Sequence, residues 1–202
     1  MLFLLDTSAD LDEAAAELGG EVGQLLTPLN GFTNKGRKFG IDNGAYARFD
    51  EKAFMARLGK ELENRERCLF VCAPDVVGSA RRTLEVFQHW HPKLFGWPVA
   101  LVCQDGQEDL PMPWNLIEAV FIGGSTEWKL SKHAIAILKA ARILGKWCHV
   151  GRVNTPDRLG VFEDLADSID GTGLSRFTHM RQKIRDDNRA LFAEDQRCKP
   201  AS

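Results

Sequence analysis

The chain has 202 residues, of which 44% are hydrophobic and 27% charged, and its formal net charge at pH 7 is -2. This composition excludes a wholly disordered chain, and the length predicts one domain. The small net charge excludes a general polyanion binder, and no apolar run approaches the roughly 20 residues that a membrane-spanning helix requires. We therefore expect a cytoplasmic protein with no membrane partner, in which residues 1–194 form one domain and 195–202 a C-terminal tail.

Short apolar runs alternate along the chain with longer segments of helical periodicity, which favours strands joined by helical crossovers. The predicted strands are 2–5, 23–26, 39–42, 68–72, 99–103, 119–122, 147–150 and 168–170. The predicted helices are 10–18, 51–64, 79–89, 131–144, 156–165 and 180–192. Eight parallel strands predict an α/β fold, a compact TIM (β/α)8 barrel. Two connections are too short for a helix, which leaves room for an irregular or incomplete barrel, and an open doubly wound sheet is the alternative.

The cysteines do not form a metal-binding pattern. There are five of them, scattered along the chain: Cys68, Cys72, Cys103, Cys148 and Cys198. The chain has no second pair of cysteines that could complete a metal site with Cys68 and Cys72. Neighbouring residues such as Cys148 and His149 point to opposite faces of a strand and so cannot bind one ion together. No phosphate-cradling or hydrolase motif is present either. We therefore expect reduced thiols, no metal site and no cofactor.

Six of the predicted strands end in acids, amides or glycines. These ends are Asp42-Asn43-Gly44, Pro74-Asp75, Gln104-Asp105-Gly106, Gly123-Gly124-Ser125, Gly151-Arg152 and Asp170-Gly171. The carboxyl ends of parallel strands meet at one rim, so residues far apart in sequence can line a single pocket. Taken singly, Asp75, Asp105 or Asp167 is more simply explained as a helix N-cap, and the glycines as tight turns. Repetition over six strands favours one shared site.

Three of these acids, Asp42, Asp75 and Asp170, directly follow apolar strands, where burial of a carboxylate is costly unless a ligand or hydrogen bonds compensate. Two or three carboxylates around one apolar pocket suit chemistry at a glycosidic bond. One carboxylate attacks or stabilises the anomeric carbon, and another, its pKa raised, handles the proton of the leaving group. Tyr46 is a candidate for stacking on a base, although an aromatic residue near a strand end is more often part of a core.

The strand ends form an ordered series of motifs. They read Ile-Asp42-Asn-Gly-Ala-Tyr, Ala-Pro-Asp75-Val-Val-Gly, Val-Cys-Gln104-Asp-Gly, Phe-Ile-Gly-Gly-Ser-Thr-Glu-Trp-Lys129, His-Val-Gly-Arg152-Val-Asn-Thr-Pro and Asp-Ser-Ile-Asp170-Gly-Thr. This series, which covers about residues 25–177, resembles the tRNA-guanine transglycosylase superfamily. Within it the similarity is greatest to the DpdA-type enzymes of phages and bacterial genomic islands, which place 7-deazaguanine bases, related to queuosine, in DNA.

The resemblance implies a barrel enzyme, a pentosyltransferase that exchanges guanine for a 7-deazaguanine such as 7-cyano-7-deazaguanine through a covalent aspartyl-nucleoside intermediate. Asp170 takes the place of the family's nucleophile and Asp42 that of the general acid/base. Asp75 would read the Watson-Crick edge of the base. The remaining base-binding residues expected from the resemblance and the strand ends are Gln104, Gly123, Gly124 and Tyr46.

The implied polymer is DNA, which the enzyme would bind through basic and polar residues. The candidates are Lys129, Arg152, Asn154 and Arg176, together with the C-terminal segment from Arg176, which carries seven bases against four acids. The family's zinc site, Cys-x-Cys-x-x-Cys with a following His, is missing, because Cys198 is the sole cysteine after Asp170. We therefore expect no zinc, DNA in preference to tRNA, and an accessory protein or a homo-oligomer as a possible aid to binding. The alternatives are a tRNA-guanine transglycosylase, a nucleoside or base hydrolase, and a non-catalytic purine-binding protein.

Overall fold

The computed structural model describes residues 1–6 and 10–197, with backbone alone for 188–197. Its eight parallel strands close into a barrel in sequence order, β8 pairing with β1. The strands are β1 Leu2–Leu5, β2 Val22–Leu26, β3 Phe39–Ile41, β4 Cys68–Cys72, β5 Val99–Cys103, β6 Ala119–Ile122, β7 Trp147–Val150 and β8 Ser168–Asp170. The predicted (β/α)8 barrel is thus confirmed as a closed sheet, and the open sheet is excluded.

Helices surround the barrel. They are α1 Leu11–Leu18, α2 Glu51–Glu61, α3 Ala80–Trp90, α4 Thr126–Lys129, α5 Lys132–Ile143, α6 Pro156–Phe162, α7 Thr172–Arg176 and α8 Thr178–Arg197. Polar caps start several of them at the expected places, as where Asp50 accepts the backbone N–H of Ala53 (2.9 Å). The two short helices α4 and α7 were not predicted, because neither is long enough to show a helical period. Of the expected tail, 195–197 continue α8 and 198–202 lie outside the described residues.

The barrel is irregular in two of its connections and at one point of the sheet, where the pairing of β3 with β4 shifts register between Phe39 and Gly40. Residues 27–38, between β2 and β3, and residues 104–118, between β5 and β6, contain no α-helix. The first of these segments is tied to α2 by Arg57, which donates to the carbonyls of Phe32 (2.9 Å) and Asn30 (2.8 Å). The barrel therefore closes without a full set of eight crossover helices.

The interior of the barrel is apolar towards the amino ends of the strands and polar towards the carboxyl ends. Phe70 and Phe121 fill it with their rings edge to face, 6.1 Å between centroids. Gly40 makes room for Phe70, since a Cβ at that position would lie 2.4 Å from the ring. Phe70 and Phe121 thus form an aromatic plug, and above it the barrel opens into a cavity. A second apolar layer, between the strands and the helices, holds the outer core, in which Phe54 and Trp90 pack edge to face.

Four cysteines, Cys68, Cys72, Cys103 and Cys148, are buried and free, and Cys198 lies outside the described residues. Burial raises the pKa of the Cys68 and Cys148 thiols to about 12. These side chains therefore pack as small apolar groups. In the part of the chain that the model describes, no helix is long and apolar enough to cross a membrane.

Candidate functional site

A cavity of about 240 Å³ opens at the carboxyl ends of the strands, above the aromatic plug. All three predicted carboxylates line it, and so do most of the other predicted site residues. The predicted residues in its wall are Asp42, Tyr46, Asp75, Gln104, Gly123, Gly124, Arg152 and Asp170. This volume lies just below the roughly 300 Å³ at which pockets for drug-sized ligands begin, so the cavity has room for one small ring system.

Asp170 ends β8 and is held from two sides. Its Oδ1 accepts the backbone N–H of Arg152 (3.0 Å), and its Oδ2 lies 3.0 Å from Nε2 of His149 on the neighbouring strand β7. The other ring nitrogen of His149 contacts Oγ of Ser168 (2.8 Å), which accepts the indole N–H of Trp147 (2.9 Å). The Asp170 side chain is only 12% exposed. Its orientation at the floor of the cavity is therefore fixed by the barrel interior.

Asp42 follows β3 and has the most perturbed carboxyl of the site. Burial raises its pKa to about 7, and the nearby charges of Asp170 and Asp75 act in the same direction. A hydrogen bond from the backbone N–H of Gly44 to Oδ1 (2.6 Å) acts in the opposite direction. A carboxyl with a pKa near neutrality exists in both forms under ordinary conditions, so it can give a proton in one step and take it back in another.

Asp75 follows β4 and is pinned by amide groups. Asn43 Nδ2 donates to its Oδ1 (2.9 Å), and Gln104 Nε2 donates to its Oδ2 (2.7 Å). The Gln104 carbonyl accepts the backbone N–H groups of Gly78 (2.9 Å) and Gly124 (3.2 Å), which fixes the direction of the amide. Burial raises the pKa of Asp75, while the two amide hydrogen bonds lower it. Both carboxylate oxygens keep lone pairs that can accept from a ligand in the cavity.

Arg152 and Tyr46 meet across the mouth of the cavity, from the loops after the opposite strands β7 and β3. The guanidinium carbon lies 4.8 Å from the centroid of the Tyr46 ring, and the guanidinium also donates to the carbonyl of Gly124. Arg152 has φ 61°, and it is the one non-glycine residue with positive φ among those described. Such a backbone costs energy and persists only where the surroundings impose it. Here it turns the N–H of Arg152 onto Asp170.

The predicted nucleic-acid contacts divide into exposed and internal residues. Arg176 is exposed at the rim, on α7; burial raises the pKa of Asp6, and the Arg176 charge acts in the opposite direction. Asn154 is half-buried and accepts the backbone N–H of Gly173 (3.0 Å), which connects the loops after β7 and β8.

The expectation for Lys129 is corrected by the structure. The side chain is 4% exposed, and its ammonium donates to the carbonyl of Gly151 beneath the loop after β7. Burial lowers its pKa to about 8. The cause is the short helix α4, which turns position 129 inward, so the ammonium supports the loop and does not face a polymer.

Sequence reasoning missed three residues of the site. His149 opens a strand-end motif and neighbours Cys148, but the sequence reasoning gives it no role, although the alternation of the strand, which places Cys148 outside, places His149 inside the barrel. Asn43 was part of a quoted motif but carried no assignment. Asp6 at the end of β1 lines the cavity and accepts from Asn30 Nδ2 (2.5 Å). The acid directly after the apolar run 2–5 was the signal that could have identified it.

Metal ligands are not assembled in residues 1–6 and 10–197, where no group of three or more His, Cys, Asp or Glu side chains could hold an ion. Cys198 lies outside these residues.

No family model matches the sequence, and no curated protein matches it. Similar solved structures include a cube-shaped, highly porous designed cage made by fusing symmetric oligomeric domains (16% identity, 97% of this chain and 75% of the other, TM-score 0.44). Another is the Bacillus subtilis YkuI protein, with an EAL domain, in complex with c-di-GMP and calcium (12% identity, 78% and 43%, TM-score 0.42). A third is a native KDPGal structure (15% identity, 95% and 96%, TM-score 0.39). At such low identities and scores these similarities carry no argument about substrate or activity.

Proposed function

We propose that this protein is an enzyme, a transglycosylase that replaces guanine in DNA with a 7-deazaguanine. The observation that carries the proposal is the convergence of Asp42, Asp75 and Asp170, from three different strands, on one purine-sized cavity. Their environments differ: amides pin Asp75, while an imidazole and a backbone N–H hold Asp170. Asp42 has a pKa of about 7. Carboxyl groups that differ in this way are suited to different roles in one reaction.

The exchange proceeds in two balanced steps. Asp170 attacks C1′ of a nucleotide turned out of its stack, the C1′–N9 bond breaks, and the departing guanine takes a proton from Asp42. A 7-deazaguanine then replaces guanine in the cavity. Its N9 loses a proton to the Asp42 carboxylate and attacks C1′, and the Asp170 carboxylate leaves. One glycosidic bond is broken and one is formed, so the exchange needs no activated nucleotide.

Asp75 gives the cavity its preference for a guanine-type edge. The N1–H and exocyclic amine of guanine are adjacent donors, which match the two oxygens of one carboxylate. Adenine presents a ring-nitrogen acceptor at the position of N1–H, and this acceptor would face the Asp75 charge. A buried site built for a hydrogen bond rejects a ligand that cannot make it by large factors. Because Asn43 and Gln104 already hold Asp75, the carboxylate cannot turn to relieve a mismatch.

Support for a polymeric substrate comes from the rim. Tyr46 lines the cavity and is 72% exposed, and Phe177, directly after α7, is 49% exposed; both offer faces on which unpaired bases can stack. Arg152 and Arg176 provide positive charge for phosphate contacts, which position a strand without reading its sequence. DNA is the proposed polymer because the resemblance of the motif series is greatest to enzymes acting on DNA.

The decisive experiment is incubation with DNA, tRNA or free deoxyguanosine in the presence of 7-cyano-7-deazaguanine, followed by mass spectrometry of the nucleosides. We expect incorporation into DNA. Labelled guanine separates exchange from hydrolysis, because hydrolysis releases guanine without incorporation. Asp170→Asn should lower turnover at least about a thousandfold and leave guanine binding nearly intact. Undiminished turnover of this variant would refute the mechanism, and guanine binding without any turnover in the wild type would favour a purine-binding protein.

A further inference from the structure

We propose that His149 is a positioning residue, which holds the Asp170 carboxylate in the orientation required for attack on C1′. This inference rests on the proposed role of Asp170 as nucleophile. His149 opens one of the strand-end motifs but has no role among the residues expected to bind or react with a ligand. It lies one layer deeper, inside the barrel, where the side chain is 0% exposed and cannot touch a ligand.

A single chain of hydrogen bonds runs from the barrel interior to the carboxylate. The indole of Trp147 can only donate, so Ser168 Oγ accepts from it (2.9 Å). The Ser168 hydroxyl is then free to donate to Nδ1 of His149 (2.8 Å), and Nε2–H of His149 donates to Asp170 Oδ2 (3.0 Å). With a neutral imidazole and an ionised carboxylate, this is the arrangement in which every donor faces an acceptor. The chain therefore defines the tautomer of His149.

The imidazole is closely packed against two aromatic rings. Its centroid lies 4.8 Å from that of Phe70 and 4.6 Å from that of Phe121, so the three rings form a compact cluster. Burial lowers the pKa of His149, and the charge of Lys129 acts in the same direction, while Asp170 opposes them. A neutral imidazole in this position presents one N–H to the carboxylate from beneath.

Two fixed donors determine the plane of the carboxylate. His149 holds Oδ2 from below, and the N–H of Arg152 holds Oδ1 from the side. The terminal torsion of an aspartate is intrinsically broad, so removal of the lower donor would let the group rotate. Attack on C1′ depends on near-attack geometry, and a displacement of about 1 Å can cost about a hundredfold in rate.

The test compares His149→Leu with His149→Gln, whose amide N–H can reach the same oxygen. Single-turnover formation of the covalent adduct with guanine-containing DNA is measured beside the equilibrium affinity for free guanine. We expect His149→Leu to slow adduct formation about a hundredfold with less than a threefold change in guanine affinity. Adduct formation by His149→Gln should be at least tenfold faster than by His149→Leu. This split, and the rescue, are not expected of a residue that merely supports the fold.

Three outcomes would overturn the inference. These are an adduct rate for His149→Leu within threefold of the wild type, a parallel loss of guanine affinity, and no recovery with His149→Gln. If His149→Leu does not fold, Ser168→Ala decides, because it removes one hydroxyl from the same chain and should slow the adduct step about fivefold. An unchanged rate in that variant counts against the inference. Full activity of Asp170→Asn would instead refute the proposed function, since it removes the nucleophile itself.

Discussion

Two buried polar networks in this protein each join a carboxylate to a nitrogen-bearing side chain, and they differ in what surrounds them. One, inside the barrel, joins Asp170 to His149 below the cavity. The other, outside the barrel, joins Arg57 to Glu61 (3.5 Å) beneath the segment 27–38. The outer pair is closed: Arg57 donates to two backbone carbonyls, and Glu61 accepts from the Asn34 amide (2.9 Å). The inner network ends at a cavity.

This difference separates a buried charged group that supports the fold from one that is available for a reaction. The outer pair has backbone and amide partners on every side and holds a long connection in place. The inner carboxylate keeps acceptor capacity towards an open space and stands near two further acids, Asp42 and Asp75. An arrangement of like charges at a cavity stabilises nothing by itself. Substitutions in the two regions should therefore affect different measurable quantities.

The largest expected effect is at Asp42. Asp42→Asn should slow guanine release by about 10²–10⁴-fold, the usual contribution of a general acid. In the wild type, the proton-donating form disappears above its pKa of about 7, so the release rate should fall about tenfold per pH unit beyond that point. Single-turnover rates between pH 6 and 9 measure this. A profile of the wild type that stays flat up to pH 9 would contradict the assignment.

The same pKa has a consequence for stability. Because the folded-state pKa of Asp42 is raised, its stabilising contribution is complete below the unfolded value near 3.9 and is lost as the pH rises through about 7. An asparagine at this position does not ionise, so the folded Asp42→Asn variant carries no buried charge there. It should therefore be more stable than the wild type at pH 8. Urea unfolding at pH 5 and pH 8 tests the sign, and a variant that is less stable at pH 8 would refute it.

Arg57→Met should act on stability alone. It leaves the Glu61 carboxylate buried without its cation, which typically costs about 3–5 kcal/mol. Urea unfolding measures the loss, and turnover is then expressed per folded molecule. We expect turnover to stay within twofold of the wild type. A large loss of turnover in the folded fraction would erase the distinction between the two networks.

Gly151→Ala is designed to disturb the inner network without changing any of its polar groups. A Cβ there would lie 2.8 Å from the Phe121 ring and 3.2 Å from Asp170 Oδ2. We expect a loss of stability of about 1–3 kcal/mol from overpacking and a fall in the adduct rate of about tenfold from displacement of the carboxylate. Gly160→Ala, where a Cβ meets nothing within 4 Å, is the matched control and should leave the rate unchanged.

Lys129→Met should have the smallest effect on binding. The substitution leaves the Gly151 carbonyl without its donor, at a cost of about 1–2 kcal/mol in stability. Because the ammonium faces inward, the salt dependence of DNA affinity should not change. The exposed Arg176→Met is the control, and it should reduce the slope of log affinity against log salt by about one. A reduced slope for Lys129→Met would place its ammonium on the DNA.

The sequence was sufficient for all eight strands and for the three convergent acids, because apolar runs and parallel strand ends follow general rules of the fold. It was insufficient for the roles of single acids. Asp105 lies at a strand end like Asp75, yet it accepts from Ser125 N (2.6 Å) and Oγ (2.6 Å) and so anchors a loop. Asp167 accepts the backbone N–H of Cys148 (2.8 Å) and ties β7 to the residue before β8. Such partners are set by tertiary geometry, which residue type does not encode.

The contact between Arg152 and Tyr46 links the opening of the cavity to its floor. A base passing between the loops after β3 and β7 has to part the guanidinium from the ring. The same residue's backbone N–H is bonded to Asp170. If the proposed exchange takes place, displacement of the Arg152 side chain at the cavity mouth would act on the carboxylate of Asp170 through one residue that already has a strained backbone conformation.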